Sequence, residues 1–314
     1  MRTRLFVGLL LMPVVLVGPG TGLARADDIV TLESLAHDYD AVEIRTEQVA
    51  EGLYVLFGLG GNIAVSVGEQ GVLIVDDMFP ALHPKILDAI EAIAGRREID
   101  FAINTHWHFD HAQGNLAFGA HGAWMVAQRE SRQKLISGAV FDTGSTRYRQ
   151  APYPLEGQAV ISFDDRLSFH LNGTDIDLVH AGPAHTAGDA AVIFREQRAV
   201  HMGDVFTRTG YPFIDADNGG GIDGMIAFAE AILADVGPDA IIIPGHGEVT
   251  NGAALAESIE MLETVRARVA AGIASGQSLE QIIASKPTAD LDARFQQQSS
   301  IEDFLDRVHA SLTR

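Results

Sequence analysis

Residues 106–111 read His-Trp-His-Phe-Asp-His and place three imidazoles and one carboxylate within six positions. The apolar run of residues 99–104 predicts a strand that leads directly into this segment. Because side chains alternate along an extended chain, His106 and His108 are expected to point the same way. If the chain then turns into a helix, Asp110 and His111 face a neighbouring position. One segment can therefore supply ligands to two metal ions about 3.5–4 Å apart.

Three later segments each place a candidate ligand in a turn or directly after a predicted strand. His185 lies in a turn flanked by Gly and Pro, Asp204 follows the strand predicted for residues 199–202, and His246 follows that of residues 240–243. Loops at the ends of strands are where such folds collect functional residues. The chain has no Cys, so any metal must be bound by imidazole and carboxylate groups.

The predicted elements run from strands to helices, twice along the chain. Closely spaced strands at residues 53–75 precede a helix at 81–94, and a hairpin at 167–179 turns at Asn-Gly, a strong hairpin signal. Residues 137–157 show no periodicity and predict a long surface loop. Two sheets face to face with helices outside accommodate this order, so the fold class is α/β, a four-layer αβ/βα sandwich.

The N-terminus has the pattern of a secretory signal peptide. Arg2 and Arg4 precede an apolar run at residues 5–17, and Ala24-Arg25-Ala26 fits a cleavage site, after which the mature chain would begin at Asp27. The alternative is a retained membrane anchor, although the run is short for a span of about 20 residues. We therefore expect a periplasmic or secreted protein, the first of these in a Gram-negative cell.

The chain is strongly acidic. Its 22 basic and 42 acidic residues give a net charge of −20, which becomes −23 without the signal peptide. Such a surface repels phosphate backbones, so nucleic acid is not an expected partner. We expect a small-molecule substrate and no membrane attachment after signal cleavage; the oligomeric state stays open. The predicted organisation is signal peptide 1–26, N-terminal leader 27–41, catalytic domain 42–265, and a packed C-terminal helical extension 266–314.

Taken together, the motifs H-x-H-x-D-H, a distant His, Gly-Asp and Pro-Gly-His-Gly resemble the metallo-β-lactamase superfamily over about residues 42–265. The resemblance implies the αβ/βα sandwich and a centre with two Zn²⁺ ions per chain. It implies that the first metal is bound by His106, His108 and His185. It implies that Asp110, His111 and His246 bind the second, and that Asp204 bridges the two.

Other residues are expected to support this centre. Asp76, after the strand of residues 72–75, matches the family's acidic residue that supports the ligands; Asp77 and a plain strand-ending turn are the alternatives. Asn115 is expected to brace the ligand loop. Asn218, in a Gly-rich segment, would offer its amide to a substrate carbonyl as an oxyanion contact, or else belong to an ordinary turn. The turn at residues 58–61 would form a mobile flap over the metals.

The resemblance implies hydrolysis of a carbonyl–heteroatom bond by metal-bound hydroxide, with Asp110 as the catalytic residue that orients the nucleophile and passes a proton. In many β-lactamases of the superfamily a Cys stands in the place of Asp204, and a Lys in that of Thr207 binds the substrate carboxylate. We therefore expect weak hydrolysis of β-lactams. They come first because an exported enzyme meets antibiotics.

The alternatives within the superfamily are a lactonase and a thioesterase. A diiron oxidoreductase on the same scaffold lacks support, because the chain has no Cys for an iron–sulfur partner and no flavin-type domain. A metal-binding protein without catalysis is a further class. The complete ligand set argues against it.

Overall fold

The computed structural model describes residues 29–32, 37–295 and 300–314. The expected signal peptide, residues 1–26, lies outside the described residues. The strands are β1 Ile29–Thr31, β2 Arg45–Ala50, β3 Leu53–Phe57, β4 Ile63–Gly68, β5 Gly71–Val75, β6 Phe101–Asn104, β7 Trp124–Gln128, β8 Ala139–Asp142, β9 Arg147–Gln150, β10 Ile161–Phe163, β11 Arg166–Leu171, β12 Thr174–Val179, β13 Ala191–Phe194, β14 Ala199–His201, β15 Ile241–Ile243 and β16 Thr250–Asn251. The α-helices are α1 His83–Ala94, α2 Phe109–Ala112, α3 Asn115–Phe118, α4 Arg129–Ser137, α5 Ile222–Val236, α6 Gly252–Ala274, α7 Leu279–Ala284, α8 Asp292–Phe295 and α9 Ile301–Leu312.

The two halves of the chain each form one sheet. The first sheet has the order β10-β7-β6-β5-β4-β3-β2, with antiparallel pairs from β2 to β5 and parallel pairs from β5 to β10. The second has the order β11-β12-β13-β14-β15-β16, in which only β14 and β15 pair in parallel. The short turns between the antiparallel strands, such as Asn172-Gly173 with both φ angles positive, explain this hairpin pattern.

A core of apolar side chains joins the two sheets face to face. Leu73 and Ile103 of the first sheet belong to one buried cluster with Ile176 and Phe194 of the second. Outside the first sheet, α1 packs its Ile86 and Ile90 onto the other face. Outside the second, α5 and α6 do the same with side chains that include Phe228 and Leu262. The four-layer sandwich is thus confirmed.

The segment at residues 137–157 is not the predicted surface loop. It contains the hairpin of β8 and β9, and β1 from the expected leader pairs in parallel with β9 to form a third, three-stranded sheet. Phe141 of β8 is buried against Trp107, so the hairpin lies over the ligand segment. The strands escaped detection because they are four residues long and β9 reads Arg-Tyr-Arg-Gln, without a run of apolar residues.

The C-terminal helices share the core of the second sheet. Helix α6 continues through residue 265, so the expected boundary between domain and extension falls inside one 23-residue helix. Phe304, Leu305 and Val308 of α9 lie in the same cluster as α5 and α6. In the part of the chain that the structure describes, no helix combines the length and the apolar character needed to cross a membrane.

Candidate metal centre

The seven expected ligands meet at one edge of the sandwich, where β6, β14 and β15 end. His106 follows β6 closely, His108 precedes α2, and Asp110 and His111 lie within that short helix. His185 comes from the loop between β12 and β13, Asp204 follows β14, and His246 follows β15. The chain thus brings four separate segments to a single point.

Three histidines form the first group of ligands. Suitable side-chain atoms of His106, His108 and His185 lie within 4.8 Å of one another, and all three residues are buried. The Nε2 atom of His185 is 2.9 Å from the Nδ1 atom of His108. These are the residues that the sequence assigned to the first metal.

The second group consists of Asp110, His111 and His246. The two Nε2 atoms of His111 and His246 are 3.1 Å apart, and an oxygen of Asp110 lies 3.2 Å from Nε2 of His246. Asp204 lies between the groups. Its Oδ1 is 3.2 Å from Nε2 of His111, and its Oδ2 is 3.9 Å from Nε2 of His185.

Metal ions fit this arrangement, because four of the imidazoles use one nitrogen for a protein contact and turn the other to the centre. His106 Nδ1 contacts the hydroxyl of Thr105, His108 Nε2 the carboxylate of Asp215, His111 Nδ1 the carboxylate of Asp76, and His185 Nδ1 the carbonyl of Phe213, at 2.7–3.1 Å. Among the described residues, Nε2 of His106 is buried without any hydrogen-bond partner. Divalent cations in the two groups would satisfy these inward nitrogens.

The electrostatics of the ligands suit a cation as well. Burial lowers the pKa of His106 and His185, so these imidazoles are neutral and offer a lone pair. Burial by itself raises the pKa of Asp110, but the adjacent charges of His111 and His246 together outweigh this and lower it to about 2. The pKa of Asp204 is held well below its ordinary value by the same two histidines, again against burial. Both carboxylates are therefore ionised at neutral pH.

Asp76 sits where a supporting residue was expected. Its carboxylate accepts hydrogen bonds from the main-chain N–H and hydroxyl of Thr105 and contacts His111 Nδ1 at 2.7 Å. Its backbone is left-handed, with a φ of 63°. Asp77 makes no such contact with a ligand side chain, and burial raises its pKa well above the ordinary value. Of the two aspartates, Asp76 is the one that orients an imidazole.

The two asparagines named from the sequence both lie behind the ligands. Asn115 exchanges hydrogen bonds with Asn104 at the end of β6 and donates to the carbonyl of Gly157. The Asn218 amide donates to Asp215 and to the carbonyl of Val140, and its oxygen accepts from Lys134. Asn218 thus supports Asp215 instead of facing a substrate carbonyl, which corrects the expected oxyanion contact.

Sequence reasoning missed Asp215 and Phe213. Asp215 was read as part of a Gly-rich loop, and it lies 107 positions from His108, the residue it contacts. Nothing local marks such a partnership. Phe213 packs its ring 5.5 Å from that of His185 and, with Phe141, covers His108. These rings form an apolar wall beside the first group.

We predict that Asp215→Ala weakens metal binding at the first group by about 10–100-fold, the usual cost of removing the hydrogen-bond partner of a ligating imidazole. Competition with a chromophoric chelator, with Zn²⁺ as the probe, measures the affinity. Asp175→Ala is the matched control, because it breaks the exposed contact of Asp175 with His170. Equal zinc affinities in the two variants would contradict the role given to Asp215.

Comparison with known proteins agrees with this geometry. Residues 56–246, more than half of the chain, match the metallo-beta-lactamase superfamily. In fold, the chain is similar to the DIM-1 metallo-beta-lactamase, with a TM-score of 0.57 and 18% identity over 71% of this chain and 99% of that one. It is also similar to a metallo-beta-lactamase from Pontibacter korlensis, with a TM-score of 0.57 and 14% identity over 70% of this chain and 99% of the other.

A curated relative shares more sequence over a shorter length. The chain is 27% identical over 149 residues to the 2,4-dinitroanisole O-demethylase subunit alpha of Nocardioides sp. (strain JS1661). That alignment covers 47% of this chain and 42% of the relative's length. The family match, the fold and the His- and Asp-rich centre agree: the chain belongs to the metallo-beta-lactamase superfamily.

Proposed function

We propose that this protein is an exported, dinuclear zinc hydrolase that cleaves a carbonyl–heteroatom bond of a small molecule. The observation that carries the proposal is the position of Asp204, whose two oxygens face one ligand group each. Such a carboxylate joins two metal positions into one centre. Imidazole and carboxylate donors without thiolate suit zinc, and they also suit iron, so the diiron alternative is decided by metal analysis.

The partly exposed ligands indicate the side from which a substrate approaches. The side chains of Asp110 and His246 are 22% and 26% exposed, whereas those of His111 and His185 are fully buried. When bound, two zinc ions would polarise a carbonyl oxygen and activate a water molecule near neutral pH. Asp110 is ionised and stands at the open side, so it can orient this water and take up its proton. The rings of Phe141 and Phe213 lie beside His108 of the first group and give that part of the site an apolar surface.

β-Lactams remain the leading substrate class because of the expected export. Thr207 stands in the place of the carboxylate-binding Lys, and its hydroxyl is paired with that of Thr209. Arg208 lines a cleft together with Thr207, Glu257 and Arg294. A carboxylate on the substrate therefore gains no charged partner from Thr207, and we expect slow turnover. Lactones and thioesters share the carbonyl chemistry and are the alternatives.

An aryl methyl ether is a second candidate, supported by the aromatic wall and by the name of the O-demethylase relative. The rings of Phe141 and Phe213 lie against His108 of the first group, and the Phe109 ring stacks on Phe141 at 6.0 Å. On an electron-poor ring, the oxygen of water would bond to the ring carbon while the bond to the methoxy oxygen breaks. The methoxy group would leave as methanol, with a proton from the water.

Asp204→Ala should reduce bound zinc from two equivalents to about one and lower activity well beyond tenfold, because the shared ligand is lost. Atomic absorption on desalted protein measures the metal. Asp235→Ala, which removes only a surface partner of Arg195, is the control. Unchanged zinc content in Asp204→Ala would contradict the bridging role, and iron as the main metal would favour the diiron alternative.

A substrate panel should separate the candidate activities. We expect the zinc-loaded protein to hydrolyse a chromogenic cephalosporin slowly, measured by absorbance beside a carbapenem, an acyl-homoserine lactone, an acyl-glutathione and 2,4-dinitroanisole. Protein stripped by a chelator is the control. Turnover of the thioester or lactone alone would rule against β-lactams, turnover of dinitroanisole alone would favour the ether, and no turnover would count against all these substrates.

Export predicts a mature N-terminus at Asp27. Mass spectrometry of the protein recovered from the periplasm or medium of its native cell should show that start, since Ala24 and Ala26 fit a cleavage site. In an Ala26→Arg variant we expect the precursor to persist. A native protein that keeps residues 1–26 would refute the proposal.

A further inference from the structure

We propose that the turn Gly60-Gly61-Asn62 positions the second ligand group and thereby sets the affinity of the second metal, although it contributes no ligand. The turn joins β3 to β4 and contacts the chain segments that carry Asp110, His111 and His246. The inference rests on the proposed dinuclear centre. These three residues, Gly60, Gly61 and Asn62, form what we call the clasp.

Asn62 holds the loop of His246 from both sides. Its side-chain amide donates to the carbonyl of Pro244 at 2.9 Å and to that of Gly247 at 2.8 Å, and its main-chain N–H donates to Gly245 at 2.7 Å. Three hydrogen bonds thus bracket the one ligand that comes from this loop. Asn62 is buried, so water cannot readily replace its amide if the side chain is removed.

Gly60 and Gly61 lie in close contact with Asp110 and His111, the other two members of the second group. Gly61 donates its N–H to the carbonyl of Asp110 at 2.9 Å. A Cβ atom on Gly61 would lie 2.2 Å from Cε1 of His111, and one on Gly60 would lie 2.7 Å from the Asp110 carbonyl. Only a residue without a side chain allows the backbone to approach this closely. The expected mobile flap is therefore tied to the ligand loops at this end.

The clasp also reaches the bridging carboxylate through a buried histidine. His201 donates from Nε2 to the carbonyl of Asn62 and accepts the N–H of Gly203 at Nδ1, next to Asp204. Burial lowers the pKa of His201, so its imidazole is neutral and can do both. The outer contacts of the first group come instead from Thr105, Asp215 and Phe213. Thr105 also reaches the second group, because it donates to Asp76, which contacts His111. The hydrogen bonds described for the clasp, in contrast, go to the loops of the second group and of Asp204.

This difference gives a selective test. In Asn62→Ala, the carbonyls of Pro244 and Gly247 lose their donor and the His246 loop loses its bracket. We expect the second zinc to bind about 10–100-fold more weakly, while the first keeps its affinity. Stepwise titration against a chromophoric chelator gives both affinities, and the visible absorption of Co²⁺-substituted protein reports the coordination of each position without reference to activity.

A second variant guards against misfolding of the first. The φ angle of Gly61 lies outside the left-handed region, so Gly61→Ala leaves the backbone conformation accessible and acts by displacing the His111 ring. It should give the same selective loss. Asn172→Gly is the control for Asn62, since it removes an amide that donates to the Gly71 carbonyl at a left-handed position. Gly221→Ala is the control for Gly61, because its Cβ meets only an ordinary contact at 3.7 Å.

The outcomes separate this proposal from the one on which it rests. If the wild-type protein binds only one zinc ion, the dinuclear function fails, and the clasp fails with it. If the wild type binds two and both variants also bind two with unchanged affinities, only the clasp is overturned. Equal weakening of both positions would also overturn it, because that result indicates general loosening of the fold. A selective loss in either variant, with both controls intact, supports the clasp.

Discussion

The structure depends on one constraint: a buried imidazole must give one nitrogen to the protein if the other is to serve a metal. Each of His106, His108, His111 and His185 meets this condition with a different partner. The partners differ in kind, from a hydroxyl to two carboxylates and a main-chain carbonyl. Since every contact fixes a tautomer and a ring orientation, the ligand atoms are set before any ion arrives. The sheets and helices of the sandwich hold these four partner residues in place.

Much of the fold and of the ligand set could be predicted because both depend on short, continuous segments of sequence. Apolar runs separated by Gly-containing turns indicated the strands, and the six-residue segment at 106–111 indicated the centre. The supporting residues could not be found this way. Asp215 and Asn62 act on ligands more than 100 positions distant, through contacts that exist only after the two sheets meet. The oxyanion role expected for the Asn218 amide was wrong for the same reason, since its contacts with Asp215, Val140 and Lys134 appear only in the folded chain.

Segments outside the family match contribute to the site in this chain. Residues 56–246 contain all seven ligands. Helix α9 follows this range in the sequence, yet it lies next to the loop that carries Phe213. Tyr211 of that loop stacks on Phe304 of α9 at 4.7 Å. Arg307 of the same helix donates to the carbonyl of Asp142, at the end of β8. The aromatic wall is therefore backed by helices that belong to the C-terminal part of the chain.

Helix α6 has a bearing on how the protein can be shortened. A fragment ending at residue 265 would stop in mid-helix and leave Phe228 and Leu262 without the cover of α9. An uncovered apolar face of this kind favours aggregation. It would also loosen α5, which contacts the segment that carries Asp204. The folded unit therefore extends beyond the segments that carry the ligand motifs, and a shortened protein must keep α9.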